Sequence, residues 1–545
     1  MSKENNQSFS DTTLLWFAAI SVIGYIAYKV WIKFLLLMQS FWWKLGISFF
    51  CANLTVLAAF KVKRILQQKK LEFEQNKSIL GIEESAVFSG RTKEGEDVYI
   101  KTRQRSMHTQ IIGTTNAGKT ESIIIPWAIQ DIKQGRGLIL IDGKADRSLL
   151  DKLWTYSIRM GREADFKLFS LSSIAESEQF NPLIGGTSEE ITERVFNAFE
   201  FENPHYRSIQ FDVFSQIMRI FEESKTIPTF SKIHQCLVEP YTLFSLKAKI
   251  ESEKLKNWIS YFIDLPPRDR EERSSGLIAA LSHFSSGRSE VLFNTDTPSI
   301  NLDEALAKGQ IIYFQLPVLL SPFLGKACGK LILQCLQSAI ANRHRTHEKE
   351  KLKFYSVFLD DFSEYLYPGF VSILNKSRSA NIGIVFAHQA LGDIKTLGDP
   401  IANAILTNSN LKIFMRGNDP DSAEYFSKVI GTKTGKKQTV RTTRAFLSQH
   451  DTGEASVRDV EEFIVHPNYF KREMGVGEAF MVIPHERGAK TVRVKFSMYA
   501  DLPAKPLRQI VKTKVDRIDV VKDLDKKSTH KNHFEESNQS QNLEG

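Results

Sequence analysis

Cysteine is scarce in this sequence, and its few residues are scattered. None of the four forms a CxxC pair or lies near a pair of histidines. A disulfide framework and a structural zinc site are therefore excluded. Zinc fingers and RRM domains have signatures that are also missing, which excludes base-specific reading of nucleic acid by those modules. The cysteines are Cys51, Cys236, Cys328 and Cys335.

Long apolar runs are confined to the N-terminal 60 residues. One extends from Leu14 to about Ile32 and a second from about Phe41 to Phe60. Each has close to the ~20 residues that cross ~30 Å of hydrocarbon. No small-residue cleavage site interrupts the region, so it is not a signal peptide. We predict two membrane spans within residues 13–60; one span followed by an interfacial helix is the alternative.

Basic residues follow the second apolar run with no acid among them. By the positive-inside rule this run, KVKRILQQKK, places the body of the chain in the cytoplasm, and two spans would place residues 1–12 there as well. The whole chain carries a net charge of +9. Such a balance favours an anionic partner, either nucleic acid or an anionic lipid surface.

A glycine-rich loop stands between a short apolar strand and a helix-period segment. The strand is His108–Ile112, the loop reads GTTNAGKT, and the helical pattern runs from Lys119 to Gln134. In such a loop the backbone N–H groups bind phosphate, the lysine reaches the β and γ phosphates, and the threonine hydroxyl ligates Mg²⁺. The sequence therefore predicts a site for ATP and Mg²⁺. Its residues are Gly113, Thr114, Thr115, Asn116, Ala117, Gly118, Lys119 and Thr120.

Further strands after the loop end in polar residues suited to nucleotide hydrolysis. An apolar strand runs into Asp360 and Asp361, which we predict to be the Mg²⁺ acid and the base that polarises water. Glu364 is a substitute candidate for the base. A second buried strand, residues 382–387, precedes Gln389, a candidate sensor of the γ-phosphate. Arg378, between the two strands, is a candidate arginine finger, with an exposed surface arginine as the alternative.

The pattern of elements indicates several domains. A buried strand, LILID, follows the P-loop helix and indicates parallel βαβ architecture. From Thr187, which opens a capping box with Glu190, helix-period segments continue to about Ser274 without a convincing strand. We predict an α/β nucleotide-binding domain in two parts, residues 61–186 and 275–510, interrupted by an all-α domain at 187–274. The polar segment 511–545 is predicted to be disordered.

One strongly basic run lies near the C-terminal end of the predicted α/β domain. The run GTKTGKKQTVRTTR contains no acid, and it would contact nucleic-acid phosphates without reading sequence if it lined a channel. A solvated hairpin is the alternative. The candidate DNA-binding residues are Lys433, Lys436, Lys437, Arg441 and Arg444.

Taken in order, these motifs resemble those of the conjugative coupling proteins of type IV secretion, the TraD-type relatives of FtsK-like translocases. The resemblance covers roughly residues 10–500 and rests on the membrane segment, GTTNAGKT, LILIDGKAD, FLDDF, Arg378 and AHQ. It implies a RecA-like P-loop ATPase domain with an inserted all-α domain, anchored by N-terminal helices in the bacterial inner membrane. The family usually has Asp-Glu where this sequence has Asp360 and Asp361, which puts the hydrolysis rate in question.

The resemblance also implies an activity and partners. It points to an ATP-dependent DNA translocase that forms a homohexamer and passes single-stranded DNA with its relaxase to the channel proteins of a type IV secretion system. Two alternatives stay open. One is a non-motor, ATP-binding substrate receptor, which the aspartate at 361 favours. The other is an FtsK-like chromosomal translocase, although four spans and a winged-helix reader are not visible in the sequence.

Overall fold

The computed structural model describes most of the chain in two units, one within residues 1–81 and one within residues 82–545. Each unit is considered by itself. The described residues are 4–37, 46, 48–55, 58, 60–63, 86–201, 203–345, 352–445, 448–486, 488–513, 515, 517 and 518.

The first unit contains a long N-terminal helix, α1 (Glu4–Leu37). Its segment Ala18–Leu35 has a mean hydropathy of 1.4 and is long enough to cross a membrane; it is the one such helix among the described residues. The second predicted span falls largely outside the described residues. Those that are described there, at 46, 48–55, 58 and 60–63, are helical.

An eleven-stranded mixed sheet forms the centre of the second unit, in the order β2-β1-β13-β12-β9-β3-β8-β7-β4-β6-β5. The strands from β9 to β5 in this order are parallel, and β12, β13, β1 and β2 continue the sheet in antiparallel fashion. The strands are β1 Ala86–Thr92, β2 Asp97–Lys101, β3 Thr109–Ile112, β4 Gly137–Asp142, β5 Phe166–Ser170, β6 Ile311–Gln315, β7 Tyr355–Asp360, β8 Ile382–His388, β9 Leu411–Phe414, β12 Glu478–His485 and β13 Gly488–Phe496.

The central parallel strands are buried on both faces. Every residue of β4, β7 and β8 is buried, as their continuous apolar sequences require. Helices connect and flank the strands, and the carboxyl ends of the parallel strands lie at one edge of the sheet. This sheet edge is where the nucleotide motifs converge. In the α/β part the helices are α2 Thr102–Arg105, α3 Ile125–Lys133, α4 Arg147–Arg159, α13 Pro322–His344, α14 Phe370–Ser377, α15 Leu391–Lys395, α16 Asp399–Asn408, α17 Pro420–Ile430 and α18 Pro467–Arg472.

A helical insertion lies between β5 and β6. It opens with the predicted capping box, in which Thr187 and Glu190 exchange hydrogen bonds. The predicted boundary at 274 is wrong, because it falls inside α10 and no strand begins before β6. Gly276 does not break this helix but allows it to pack closely on Gln210 of α6. The insertion comprises α5 Ser188–Ala198, α6 Pro204–Glu223, α7 Phe230–Val238, α8 Thr242–Lys247, α9 Glu253–Asp264, α10 Pro267–Ser285, α11 Glu290–Phe293 and α12 Leu302–Lys308.

A C-terminal strap, defined here as residues 499–513, 515, 517 and 518, contains no helix or strand and lies along the second unit. Trp154 of α4 donates its indole N–H to the Pro506 carbonyl (3.1 Å), and the strap ends on Gln235 of α7, which exchanges two hydrogen bonds with the Ile518 backbone (3.0 and 3.1 Å). The prediction of disorder from residue 511 is therefore wrong for the described residues 511–513, 515, 517 and 518. An extended segment held by main-chain hydrogen bonds has no apolar periodicity from which to predict it.

Candidate functional site

The P-loop connects the end of β3 to a helix that begins with a π-helical turn, Thr120–Ile124. Gly118 has a φ of 96°, and a Cβ there would approach the Ser122 hydroxyl to 2.8 Å, so glycine is required. Two segments distant in sequence support the loop from behind. The Thr114 N–H donates to the Arg416 carbonyl (2.9 Å), and the Gly477 N–H donates to the Ala117 carbonyl (3.0 Å). The loop is therefore held in place by the sheet and its C-terminal strands.

Lys119 is buried within this loop. Its ammonium group donates to the carbonyls of Gly113 (2.6 Å) and Thr114 (3.2 Å). Burial lowers the pKa of the Lys119 amine, while the carboxylates of Asp360 and Asp361 oppose that change. A buried cation within a P-loop is suited to binding a phosphate chain.

The predicted Mg²⁺ residues are in direct contact. The Thr120 hydroxyl, at the start of the P-loop helix, donates to Asp360 at the end of β7 (2.7 Å). Burial, followed by the neighbouring Asp361, raises the pKa of the Asp360 carboxyl. A divalent cation at this position would remove that electrostatic cost, so the residues present fit Mg²⁺. Hydroxyl and carboxylate oxygens are also the ligands that Mg²⁺ prefers.

Asp361 has an unusual backbone conformation. Its φ of 48° and ψ of 45° lie in the left-handed region, which aspartate tolerates better than longer side chains. Its carboxylate forms an ion pair with Lys144 (2.8 Å). Glu364, the substitute candidate, pairs instead with Lys326 (3.4 Å). Asp361, the predicted base, thus follows Asp360, the predicted Mg²⁺ ligand, and forms an ion pair with Lys144.

Asp142, at the end of β4, belongs to this acidic cluster and was not predicted as a site residue. Its Cα is the register partner of Asp360 in the neighbouring strand. It accepts hydrogen bonds from Tyr313 (2.9 Å) and from the backbone N–H groups of Lys144 (2.9 Å) and Asp146 (2.7 Å), which shapes the loop that carries Lys144. Burial raises the pKa of Asp142 to about 6. The acid that ends LILID was the available signal in the sequence.

The raised pKa of Asp142 predicts a specific pH dependence of stability. Between about pH 4 and pH 6 the folded state holds a proton there that the unfolded state has lost, so this contribution to stability falls as pH rises. Asp142→Asn removes the titration. We expect the free energy of unfolding of the variant, relative to the parent, to rise across this range by about 1.4 kcal/mol per pH unit. Denaturant unfolding without nucleotide or Mg²⁺ measures it; a pH-independent difference would contradict the assignment.

Gln389, the predicted sensor, reaches the P-loop. Its side-chain oxygen accepts from the Thr115 hydroxyl (3.2 Å), and its backbone N–H donates to Asp393 (2.7 Å). The preceding His388 is buried and contacts Gln110 of β3 (3.0 Å). Burial lowers the pKa of His388 to about 4, so the imidazole is neutral at pH 7.

The structure does not bring Arg378 to the site of its own chain. It is exposed in a short 3₁₀ turn, Arg378–Ala380, just before β8 begins. The P-loop follows the end of β3, and β3 and β8 are parallel neighbours. Arg378 and the P-loop therefore lie at opposite edges of the sheet.

The basic run forms the first strand of a separate hairpin made of β10 (Thr432–Ala445) and β11 (Ser448–Phe463). Lys433, Lys436 and Lys437 are exposed there, and Arg441 and Arg444 lie further along β10. The basic run therefore lies in a hairpin, and its contact with nucleic acid stays a prediction. The partner strand is rich in acid, a feature that the basic sequence alone did not reveal.

Together, the sheet and its site define a P-loop nucleotide-binding protein of RecA-like architecture, which confirms the predicted fold class. Residues 355–472 match a family model described as the TraM recognition site of TraD and TraG. Over 425 residues the chain is 22% identical to the type 4 coupling protein DotL of Legionella pneumophila, covering 66% of this chain and 54% of that protein. The chain thus spans about half the length of this curated relative.

Solved structures show the same fold. The unbound bacterial conjugative coupling protein TrwBdeltaN70 matches with a TM-score of 0.54 at 12% identity, over 76% of this chain and 90% of that one. TrwB in complex with ADP and Mg²⁺ matches with a TM-score of 0.53 at 14% identity, over 76% and 90%. VirB4 of Thermoanaerobacter pseudethanolicus matches with a TM-score of 0.50 at 13% identity, over 76% and 97%. These comparisons confirm the resemblance to type IV coupling proteins.

Proposed function

We propose that this chain is a membrane-anchored ATPase that couples a DNA substrate to a type IV secretion channel. The observation that carries the proposal is the 2.7 Å contact between Thr120 and Asp360, which joins the P-loop to the acidic strand end. This pair, with Lys119 buried beside it, is the arrangement needed to bind and hydrolyse ATP. The structural relative TrwB has been solved with ADP and Mg²⁺, which supports the same ligands here.

In this proposal, each residue of the site has a separate role. The P-loop N–H groups and Lys119 would bind the β and γ phosphates of ATP, and Thr120 and Asp360 would hold Mg²⁺, whose charge would offset the negative charge of the phosphates. Asp361 orients the attacking water and accepts its proton. It becomes available when Lys144, paired with it at 2.8 Å, turns toward the phosphates. Gln389, through Thr115, reports whether the γ-phosphate is present.

The assembly and cargo are part of the same proposal. A homohexameric ring would place the exposed Arg378 of one copy near the nucleotide of the next, where an arginine stabilises the charge of phosphoryl transfer. The segment Ala18–Leu35 anchors each copy in the bacterial inner membrane, with the second unit in the cytoplasm. Single-stranded DNA with a bound relaxase is the proposed cargo, and the channel proteins of type IV secretion are the proposed partners, as the coupling-protein relatives suggest.

Nucleic-acid stimulation of ATP hydrolysis tests this function. We expect the full chain in lipid nanodiscs to hydrolyse ATP at least about tenfold faster with single-stranded DNA than without it, and the stimulation to weaken as salt rises. Turnover is measured by phosphate release at several salt concentrations. Double-stranded DNA and a polyanion of equal charge serve as controls. ATP binding with turnover that DNA does not change would contradict the proposal.

The ion pair between Asp361 and Lys144 favours a second candidate, a non-motor receptor that binds ATP in order to assemble. A short carboxylate held by a lysine is poorly placed to activate water. Such a receptor would bind ATP tightly, hydrolyse it slowly, and show no stimulation by DNA. The measurement above therefore separates the two functions.

A further inference from the structure

The β10–β11 hairpin stands apart from the central sheet. Its two strands, of 14 and 16 residues, pair only with each other among the described residues. It begins directly after Gly431, whose φ is 106°. At the base of the hairpin the Ile464 N–H donates to the Gly431 carbonyl (3.0 Å). An isolated two-stranded hairpin is at best marginally stable in water. Such a long one therefore implies a partner along its edges.

The two strands of the hairpin carry opposite charge. Strand β10 has five basic residues and no acid, whereas β11 has five acids and one arginine. Cross-strand partners include Lys433 with Glu462 and Lys436 with Asp459. The hairpin thus has a basic edge and an acidic edge, with a net charge of only about +1, counting histidine as neutral. The acids are Asp451, Glu454, Asp459, Glu461 and Glu462.

Although the strands pair, the charged side chains near the base of the hairpin form no ion pairs with one another in the described part of the chain. None of the exposed charged side chains there forms an ion pair within 4 Å in the described part of the chain. They are Lys433, Lys436, Lys437, Arg458, Asp459, Glu461 and Glu462. Each strand also has one edge whose backbone N–H and C=O groups have no partner strand among the described residues. Both the charges and the backbone are available to another molecule.

We propose that this hairpin joins copies of the chain, with the acidic β11 edge of one copy pairing with the basic β10 edge of the next. Adjacent hairpins in the same orientation bring β11 and β10 together antiparallel, as within one hairpin. The contact is head-to-tail, so it closes a ring when the rotation between copies allows. The inference deepens the proposed ring and rests on the proposed function for that ring, but the contact itself needs neither DNA nor ATP.

The position of the hairpin in the chain connects this contact to the nucleotide site. The hairpin lies between Arg416 and Gly477, whose backbone groups support the P-loop at Thr114 and Ala117. A neighbouring copy bound to the hairpin would therefore contact the same segment of chain, 416–477, whose two ends are hydrogen-bonded to the P-loop. The near-balanced charge of the hairpin also distinguishes it from a DNA-tracking strand, which needs uncompensated basic residues.

Charge exchange between the strands tests the contact. A four-site variant (Lys433→Glu, Lys436→Glu, Asp459→Lys and Glu462→Lys) keeps the two exchanged cross-strand pairs within the hairpin opposite in sign and leaves the pair of Lys437 and Arg458 unchanged. We expect this variant to assemble with itself as the parent does. Mixed with the parent, it places like charges at every joint between unlike copies. Differently tagged parent and variant, exchanged together in detergent, should co-purify at least about tenfold less than two tagged parents, since each like-charged pair is destabilising.

A matched control exchanges the exposed ion pair Lys428–Glu424 on the adjacent helix α17 (2.8 Å), and this variant should mix freely with the parent. Free mixing of the four-site variant with the parent would overturn the proposal, as would a parent that does not assemble or a variant that fails to assemble with itself. Free mixing combined with lost binding of single-stranded DNA would assign the hairpin to nucleic acid instead. Assembly is read by native mass or sedimentation, without ATP, so the result is independent of the proposed function.

Discussion

Lys119→Ala is expected to eliminate useful ATP binding and lower ATP turnover at least about 100-fold, the scale of losing one charge-stabilising donor at a reaction centre. The Lys119 ammonium group lies inside the P-loop, 2.6 Å from the Gly113 carbonyl, where the phosphates of a nucleotide would contact it. No other lysine among the described residues lies within this loop. Nucleotide affinity is measured by calorimetry, and turnover by phosphate release.

Lys428→Ala is the matched control for that variant. Lys428 is an exposed lysine on α17, paired with Glu424 four residues earlier, and its removal should leave turnover within about twofold because surface ion pairs contribute little. Both variants should remain in the membrane fraction, and only the Lys119 variant should fail to support DNA transfer between cells. Normal turnover in Lys119→Ala would show that the P-loop is not the hydrolytic site.

Asp361→Asn is expected to lower turnover about 100- to 1000-fold while nucleotide affinity changes only a few-fold. General bases contribute on the order of 10²- to 10⁴-fold, and asparagine matches aspartate in shape and tolerates the left-handed backbone at φ 48°. The fold and the Mg²⁺ residues are thus preserved while the carboxylate is lost. Single-turnover hydrolysis of prebound ATP measures the chemical step directly. An unchanged single-turnover rate would remove Asp361 from the mechanism.

Asp361→Glu supplies the residue that the coupling-protein family usually has at this position. The extra methylene extends the carboxylate, but glutamate in a left-handed conformation costs about 1–2 kcal/mol. A turnover rate that rises several-fold would show that the native site is slowed, as a receptor requires. A rate unchanged within about twofold would show a competent motor in which Lys144 and Asp361 are already well placed.

The nucleotide site was largely predictable because its determinants are local. The loop GTTNAGKT specifies its own turn, and an apolar strand that runs into acid identifies Asp360 without any tertiary information. Parallel strands bring their carboxyl ends to one edge of a sheet, and the structure brings Thr120 to Asp360 (2.7 Å) and Gln389 to Thr115 of the P-loop (3.2 Å). The RecA-like fold followed from the same order of motifs.

Features that depend on distant partners were not predictable. The pairing of Lys144 with Asp361, and the burial that gives Asp142 its raised pKa, arise from packing between β4 and β7. The basic run was interpreted without its partner strand, and the register of the hairpin places acids such as Glu462 opposite it. The separation of Arg378 from the P-loop likewise follows from the parallel pairing of β8 with β3. In each case the missing information was a long-range contact.

The C-terminal strap has a mechanical consequence for the helical insertion. Two covalent connections, before α5 and after α12, join the insertion to the α/β part, and Gln334 of α13 donates a hydrogen bond to the Arg194 carbonyl of α5 (3.0 Å). The strap adds a further attachment, since it accepts a hydrogen bond from α4 at Pro506 and one from α7 at Ile518. The strap therefore ties the insertion to the sheet of the same copy, and in the proposed motor the motion driven by ATP would occur between copies.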